Sequence, residues 1–142
     1  PSFARELEQT LHNALGEASR RRHEYATLEH LLIALIDDEH ASKVMTACGV
    51  SRDELRASVK QYLDNELGAL VADSATDPTP TSGFQRVVQR ALLAHHRLRL
   101  RGFAHAILLR ELTDDAVHVF CRFRPVHDGA VRRRVALELG EI

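Results

Sequence analysis

Cysteine is nearly missing from this chain. Of 142 residues only Cys48 and Cys121 carry a thiol, and they stand apart, without the paired spacing of a zinc site or a disulfide framework. A reducing, cytoplasmic setting is therefore the expectation. No apolar run approaches the roughly 20 residues that cross a bilayer. The opening Pro-Ser-Phe-Ala-Arg-Glu also lacks the basic and apolar pattern of a secretion signal. A basic excess is missing too: the formal charge is -1, made of -4 over residues 1–93 and +3 over 94–142, which argues against a dedicated nucleic-acid binder. No Gly-x-x-x-x-Gly-Lys-Ser/Thr loop is present to cradle nucleotide phosphates, and no Gly-x-Ser-x-Gly elbow or HExxH pair suggests a hydrolase. Neither catalysis nor a bound metal is expected.

What is present is helical periodicity. At 44% hydrophobic and 27% charged residues, the composition suits one globular domain that buries about 65 to 70% of its extended-chain surface. Phe3, Leu7, Leu11, Ala14, Leu15 and Ala18 mark a first amphipathic helix, with Ser2 as its cap. Charged residues from Arg20 to Glu24 then lead into the most informative stretch. Thr27 is placed as an N-cap, and Leu28, Leu31, Leu32, Leu35 and Ile36 recur at i, i+3, i+4, i+7 and i+8, one face of a helix. On the opposite face Glu29 complements the helix dipole from the first turn, with Glu24 just before the cap. Both acids are expected to point outward, towards a partner.

Ala41, Val44, Met45 and Cys48 form a short third stripe, closed by Gly49 at a position suited to a left-handed C-cap. Ser51-Arg52-Asp53-Glu54 reads as a capping box opening a fourth helix with Leu55, Val59, Tyr62, Leu63 and Leu67. Residues 73–83, Asp-Ser-Ala-Thr-Asp-Pro-Thr-Pro-Thr-Ser-Gly, are rich in turn formers and read as an exposed linker. Beyond it Phe84, Val87, Val88, Ala91 and Leu92 resume the helical period. At an offset of 81 the pairs Phe3/Phe84, Arg5/Arg86, Leu7/Val88 and Leu11/Leu92 hint at an internal duplication. From Ala94 the pattern degrades: residues 106–112 permit a helix, 117–122 alternate as a strand does, and 130–139 permit a final helix with a poor stripe.

Four segments carry a resemblance: Leu-Glu-Gln-Thr-Leu at 7–11, His-Glu-Tyr-Ala-Thr-Leu-Glu-His-Leu-Leu at 23–32, Tyr-Leu-Asp-Asn-Glu-Leu at 62–67, and Pro-Thr-Ser-Gly-Phe-Gln-Arg-Val-Val-Gln-Arg-Ala at 80–91. Together they resemble the amino-terminal Clp domain of the ClpA-type Hsp100 AAA+ unfoldases, over roughly residues 3–93. The resemblance implies an all-α fold of two pseudo-repeated four-helix units: repeat one over 1–72, the linker over 73–83, and repeat two over 84–142. It further implies a non-catalytic receptor that binds the ClpS adaptor and protein substrates, including those marked by destabilising amino-terminal residues. The parent hexamer would pass these to the ClpP peptidase. By the same resemblance no cofactor belongs to this domain; ATP and Mg belong to AAA+ modules elsewhere in the parent. Carried over by position, the adaptor- and substrate-binding residues are Glu24, Glu29, Thr81, Arg86 and Arg90.

After Leu93 the resemblance fails. The last 49 residues hold nine arginines, five histidines and no lysine, so the tail is either divergent or the product of a shifted reading frame. Two other functional classes stay open: a stand-alone helical interaction module that needs no adaptor, and a metal-dependent enzyme using His95, His96, His105, His118 and His127 with Cys121. His23 and His30 are expected to cap or pack rather than bind metal, and Arg20, Arg21 and Arg22 to be a hydrated helix end.

Overall fold

Every helical stripe in the first 98 residues becomes a helix in the computed structural model, which describes residues 2–47, 49–68, 71–73 and 77–98. The order is α1 (Ser2–Arg20), β1 (Tyr25–Ala26), α2 (Leu28–Asp37), α3 (Glu39–Ala47), α4 (Arg52–Asn65), β2 (Thr79–Pro80) and α5 (Ser82–Leu98). The all-α expectation holds. The repeat-two segment beyond Leu98, with Cys121, His105, His118 and His127 and the strand-like stretch at 117–122, lies outside the described residues, and so does Cys48.

The centre of the fold is α2, against which α1, α3, α4 and α5 all pack. Here the sequence expectation needs correcting. Leu31, Leu32, Leu35 and Ile36 are buried as foreseen, but Ile33 and Ala34 are buried as well, along with Glu29 and His30. The helix is enclosed on every side rather than amphipathic on a surface. Neighbours on all flanks favour a helix apolar all round, and the unbroken Leu-Leu-Ile-Ala-Leu-Ile run supplies it. Ala14 and Ala18 of α1, Met45 of α3, Leu55, Val59 and Leu63 of α4, and Phe84, Val87 and Ala91 of α5 complete the core.

Local chemistry sets the helix ends. Gly49, at φ 75°, closes α3: its N–H donates to Thr46 O at 3.0 Å and that of Val50 to Met45 O at 2.9 Å, the two bonds of a Schellman cap. Ser51 accepts from the Glu54 N–H and opens α4, which ends at Asn65, leaving Leu67 half-buried beyond it. A second Schellman cap ends α1, where His23 donates to Ala18 O and Arg22 to Ser19 O, both at 2.9 Å. Its left-handed residue is Arg22, at φ 58°. The run is hydrated at Arg20 and Arg22, as expected, and is also tied into the fold: Arg20 pairs with Glu17, Arg21 ties α1 to Asp64 of α4, and Arg22 donates to Asp73 O at 3.0 Å.

The expected linker is also more than an exposed tether. Its Thr79 and Pro80 run parallel to Tyr25 and Ala26, and the bonds Ala72 N–H to Arg22 O (2.7 Å), Thr79 N–H to Glu24 O (3.0 Å) and Thr81 N–H to Ala26 O (3.0 Å) strap it across the α1–α2 connection.

Candidate docking surface

Parallel pairing of β1 with β2 has a direct consequence for the candidate residues. The chain leaves both strands in the same direction, so α2 and α5 start side by side, and the Leu28 side chain meets the position of Gly83. Glu24, on the connection, is thereby brought next to Thr79 and into the neighbourhood of Thr81. Glu24 is exposed, Thr81 is half-buried, and Arg86 and Arg90 lie exposed on α5, one turn apart. Glu24 and Thr81 are thus brought together, with Arg86 and Arg90 following on α5.

Glu29, unlike Glu24, is buried. It retains only 8% exposure, so the reading of an outward carboxylate in the first turn of α2 is corrected. The period was read rightly, but a helix packed by four others leaves little outward face. Thr81 has a structural duty: its Oγ1 accepts from the Phe84 N–H at 3.2 Å and its carbonyl accepts from the Gln85 N–H, capping α5. Residue reasoning passed over Tyr25, whose ring is 39% exposed beside Glu24. The signal was there: in a strand of two residues flanking a buried alanine, the neighbour must face out.

The same region holds a buried pair. Thr27 caps α2, and its backbone N–H donates to His30 Nδ1 at 2.8 Å, with Thr27 Oγ1 3.0 Å from the same nitrogen. A backbone N–H can only donate, so His30 Nδ1 is unprotonated and the ring proton sits on Nε2. That proton is donated to His23 Nδ1 at 2.9 Å, which in turn places the His23 proton on Nε2. The rings meet edge to face, 5.1 Å between centroids. Burial, then the His23 ring, then Arg21 push the His30 pKa down to about 3. Burial and then Arg21 lower that of His23. Capping and packing, the expected roles, are what these histidines perform.

A separate pocket of about 360 Å³ between α1 and α2 is lined by His12, Asn13, Gly16, Glu17, Arg20, Ala34 and Asp37. Its charges are matched internally, Glu17 with Arg20 and Asp37 with Arg56, and none of the candidate residues lines it. No cluster of three or more potential metal ligands occurs among the described residues, and no helix among them is long and apolar enough to cross a membrane.

The Clp repeat (R) N-terminal domain family matches residues 2–119. The chain belongs to this family. A ClpA homolog protein of Fuscovulum blasticum is 48% identical over 94 residues, which is 66% of this chain and 12% of the relative. The chain thus spans about an eighth of that relative's length. Two solved structures share the fold at TM-score 0.79. One, from preliminary structural investigations of a malarial protein secretion system, is 15% identical, covering 99% of this chain and 97% of its own. The other, the Hsp104 N-terminal domain from Candida albicans, is 13% identical, covering 95% and 89%. Clp N-terminal domains are non-catalytic domains of Hsp100 chaperones, and association with other proteins is the role their family implies.

Proposed function

We propose that this domain is the docking module of a ClpA-type unfoldase, receiving the ClpS adaptor and protein substrates for unfolding and degradation by the parent assembly with ClpP. The observation that carries the reading is the 48% identity to a ClpA homolog over 94 residues. The exposed candidates have the composition of an interface rim with an aromatic beside it: Glu24 and Tyr25 are exposed on the strapped connection, and Arg86 and Arg90 on α5. Charges of both signs there suit the setting of partner choice and association rate, while Tyr25 supplies apolar contact. A strapped connection also loses little conformational freedom on binding. The two-repeat architecture and the reading of residues 1–142 as one domain belong to the same proposal.

The test is calorimetric titration of the full chain with purified ClpS. Saturable binding at micromolar Kd or tighter, weakened in Tyr25→Ala, supports the reading. Absence of any heat or complex with a ClpS preparation that binds another ClpA amino-terminal domain sinks it.

A further inference from the structure

His23 sits at the crossing of three structures. Its N–H closes the cap of α1 on Ala18 O, its backbone bridges Val71 of the strap, and its ring accepts from His30, which itself holds the N-cap of α2 through Thr27. Both rings are buried, at 3% and 0% exposure. The Thr27–His30 link and the acceptor role of the His23 ring depend on neutral imidazoles. A proton added to His30 Nδ1 takes away the acceptor of the Thr27 N–H and must turn to Thr27 Oγ1, 3.0 Å away, while a proton added to His23 Nδ1 faces the His30 Nε2–H, donor against donor. Protonation of either ring therefore breaks a bond of the neutral arrangement, at the N-cap of α2 or between the rings.

We infer that the His23–His30 pair is an acid-sensitive latch, which in its neutral form holds the Arg22–Thr27 connection and the strap residues 71–73 and 77–81 closed, and on protonation releases them locally.

The charges around the pair favour this sense. Arg21, from the end of α1, opposes a second positive charge on either ring. It is anchored by Asp64 of α4 and lies 3.8 Å from Glu17 of α1. Other ionisable groups on the adjoining elements are Arg22, Glu24 and Tyr25 on the connection, Glu29 and Asp37 on α2, Asp73 and Asp77 on the strap, and Arg86 and Arg90 on α5. The charge felt by both rings is that of Arg21. Protonation is therefore coupled to opening, because an imidazolium is tolerated only once the ring reaches water. The segment released carries Glu24 and Tyr25, so the latch sets the order of these exposed residues. This inference does not depend on which partner binds there.

Amide hydrogen exchange on the full chain, corrected for intrinsic rates, tests it at pH 7.5 and 5.0. The amides of Ala72, Thr79 and Thr81, which close the strap, report local opening. With an ordinary imidazole in the open state and a closed-state ring that resists protons, one histidine alone raises the open population about thirty-fold over this interval. His30→Gln keeps an N3 side chain able to accept from Thr27 N–H and donate to His23, but removes that titration. Its rise is expected to be at least about ten-fold smaller than in the wild type. Three results overturn the latch: a wild-type rise of less than about three-fold; an equal rise in His30→Gln; or strap amides as strongly protected as those of Val59 and Leu63, which means that the strap opens only by global unfolding. Imidazole nitrogen spectroscopy on the wild type adds a check independent of any variant: a proton on His30 Nδ1 at pH 7.5 refutes the arrangement.

Discussion

Arg52, the first residue of α4, grips the last turn of α2: its Nη2 lies 2.9 Å and its Nε 3.2 Å from Ile36 O. A helix C-terminus leaves carbonyls without intrahelical partners and carries partial negative charge, so a forked cation satisfies both needs at once. Methionine at this position keeps the apolar stem and removes both donors. Arg52→Met is expected to lower the unfolding free energy by about 1 to 2 kcal/mol, the lower part of the range for a charged donor, because the group is only half-buried. Urea denaturation reads this as a lower midpoint at unchanged m-value. Arg52→Lys, a single point donor, is expected to recover only part of the loss.

Gly49 offers a test of backbone strain isolated from packing. A Cβ added there meets nothing within 4 Å, yet φ is +75°. Gly49→Ala therefore costs stability through the left-handed conformation, about 1 to 2 kcal/mol, offset by the lower entropy of the unfolded alanine chain. A net loss of about 1 kcal/mol is expected in thermal or urea unfolding. An unchanged midpoint would show that the α3 cap contributes nothing.

These two positions also show where the sequence was legible. Gly49 announced its cap because glycine after an apolar stripe has few other uses, and Thr27 and Ser51 announced theirs by their hydroxyls. Arg22 gave no such sign: arginine is a poor choice for a left-handed residue, and only the Ala18–His23 and Ser19–Arg22 bonds reveal the second Schellman cap. Periodicity located α2 but not its depth, since burial on the flank of Ile33 and Ala34 is decided by helices distant in sequence. For the candidate site, the residues were legible and their accessibility was not. Glu24 and Glu29 look equivalent as carboxylates flanking a cap, yet β1 holds one in solvent while the packing around α2 encloses the other. The strap over residues 77–81 escaped notice because turn-forming composition says that a segment is not helical, and nothing about what it pairs with.

The same distinction governs how the docking reading is best probed. Glu24→Arg reverses an exposed charge while the Thr79 bond to its carbonyl remains. It is expected to weaken ClpS binding mainly by slowing association, with a smaller effect at high salt, and to leave the unfolding midpoint within about 0.5 kcal/mol. Stopped-flow or surface-based kinetics at two ionic strengths measure this. Glu29→Arg forces a guanidinium into a site with 8% exposure. It is expected to destabilise the domain by about 2 kcal/mol or more, so a loss of binding there reports folding as much as docking.

Acid stability follows from His30 with a definite sign. Its folded pKa is held near 3, below the ordinary 6.5 that it takes in the unfolded chain. Above about pH 6.5 both states are neutral at this ring and its contribution is complete. As pH falls from there towards 3, the unfolded state takes up a proton that the folded state refuses, and stability declines by up to about 1.4 kcal/mol per pH unit from this group. His23, also lowered, acts in the same direction. Urea midpoints measured from pH 7.5 to 4.5 are expected to fall steadily for the wild type and less steeply for His30→Gln. Any other acid loss is common to both proteins, so the difference between the two slopes isolates the imidazole. Superimposable pH profiles would show that His30 is no less willing to take a proton in the folded chain than in the unfolded one.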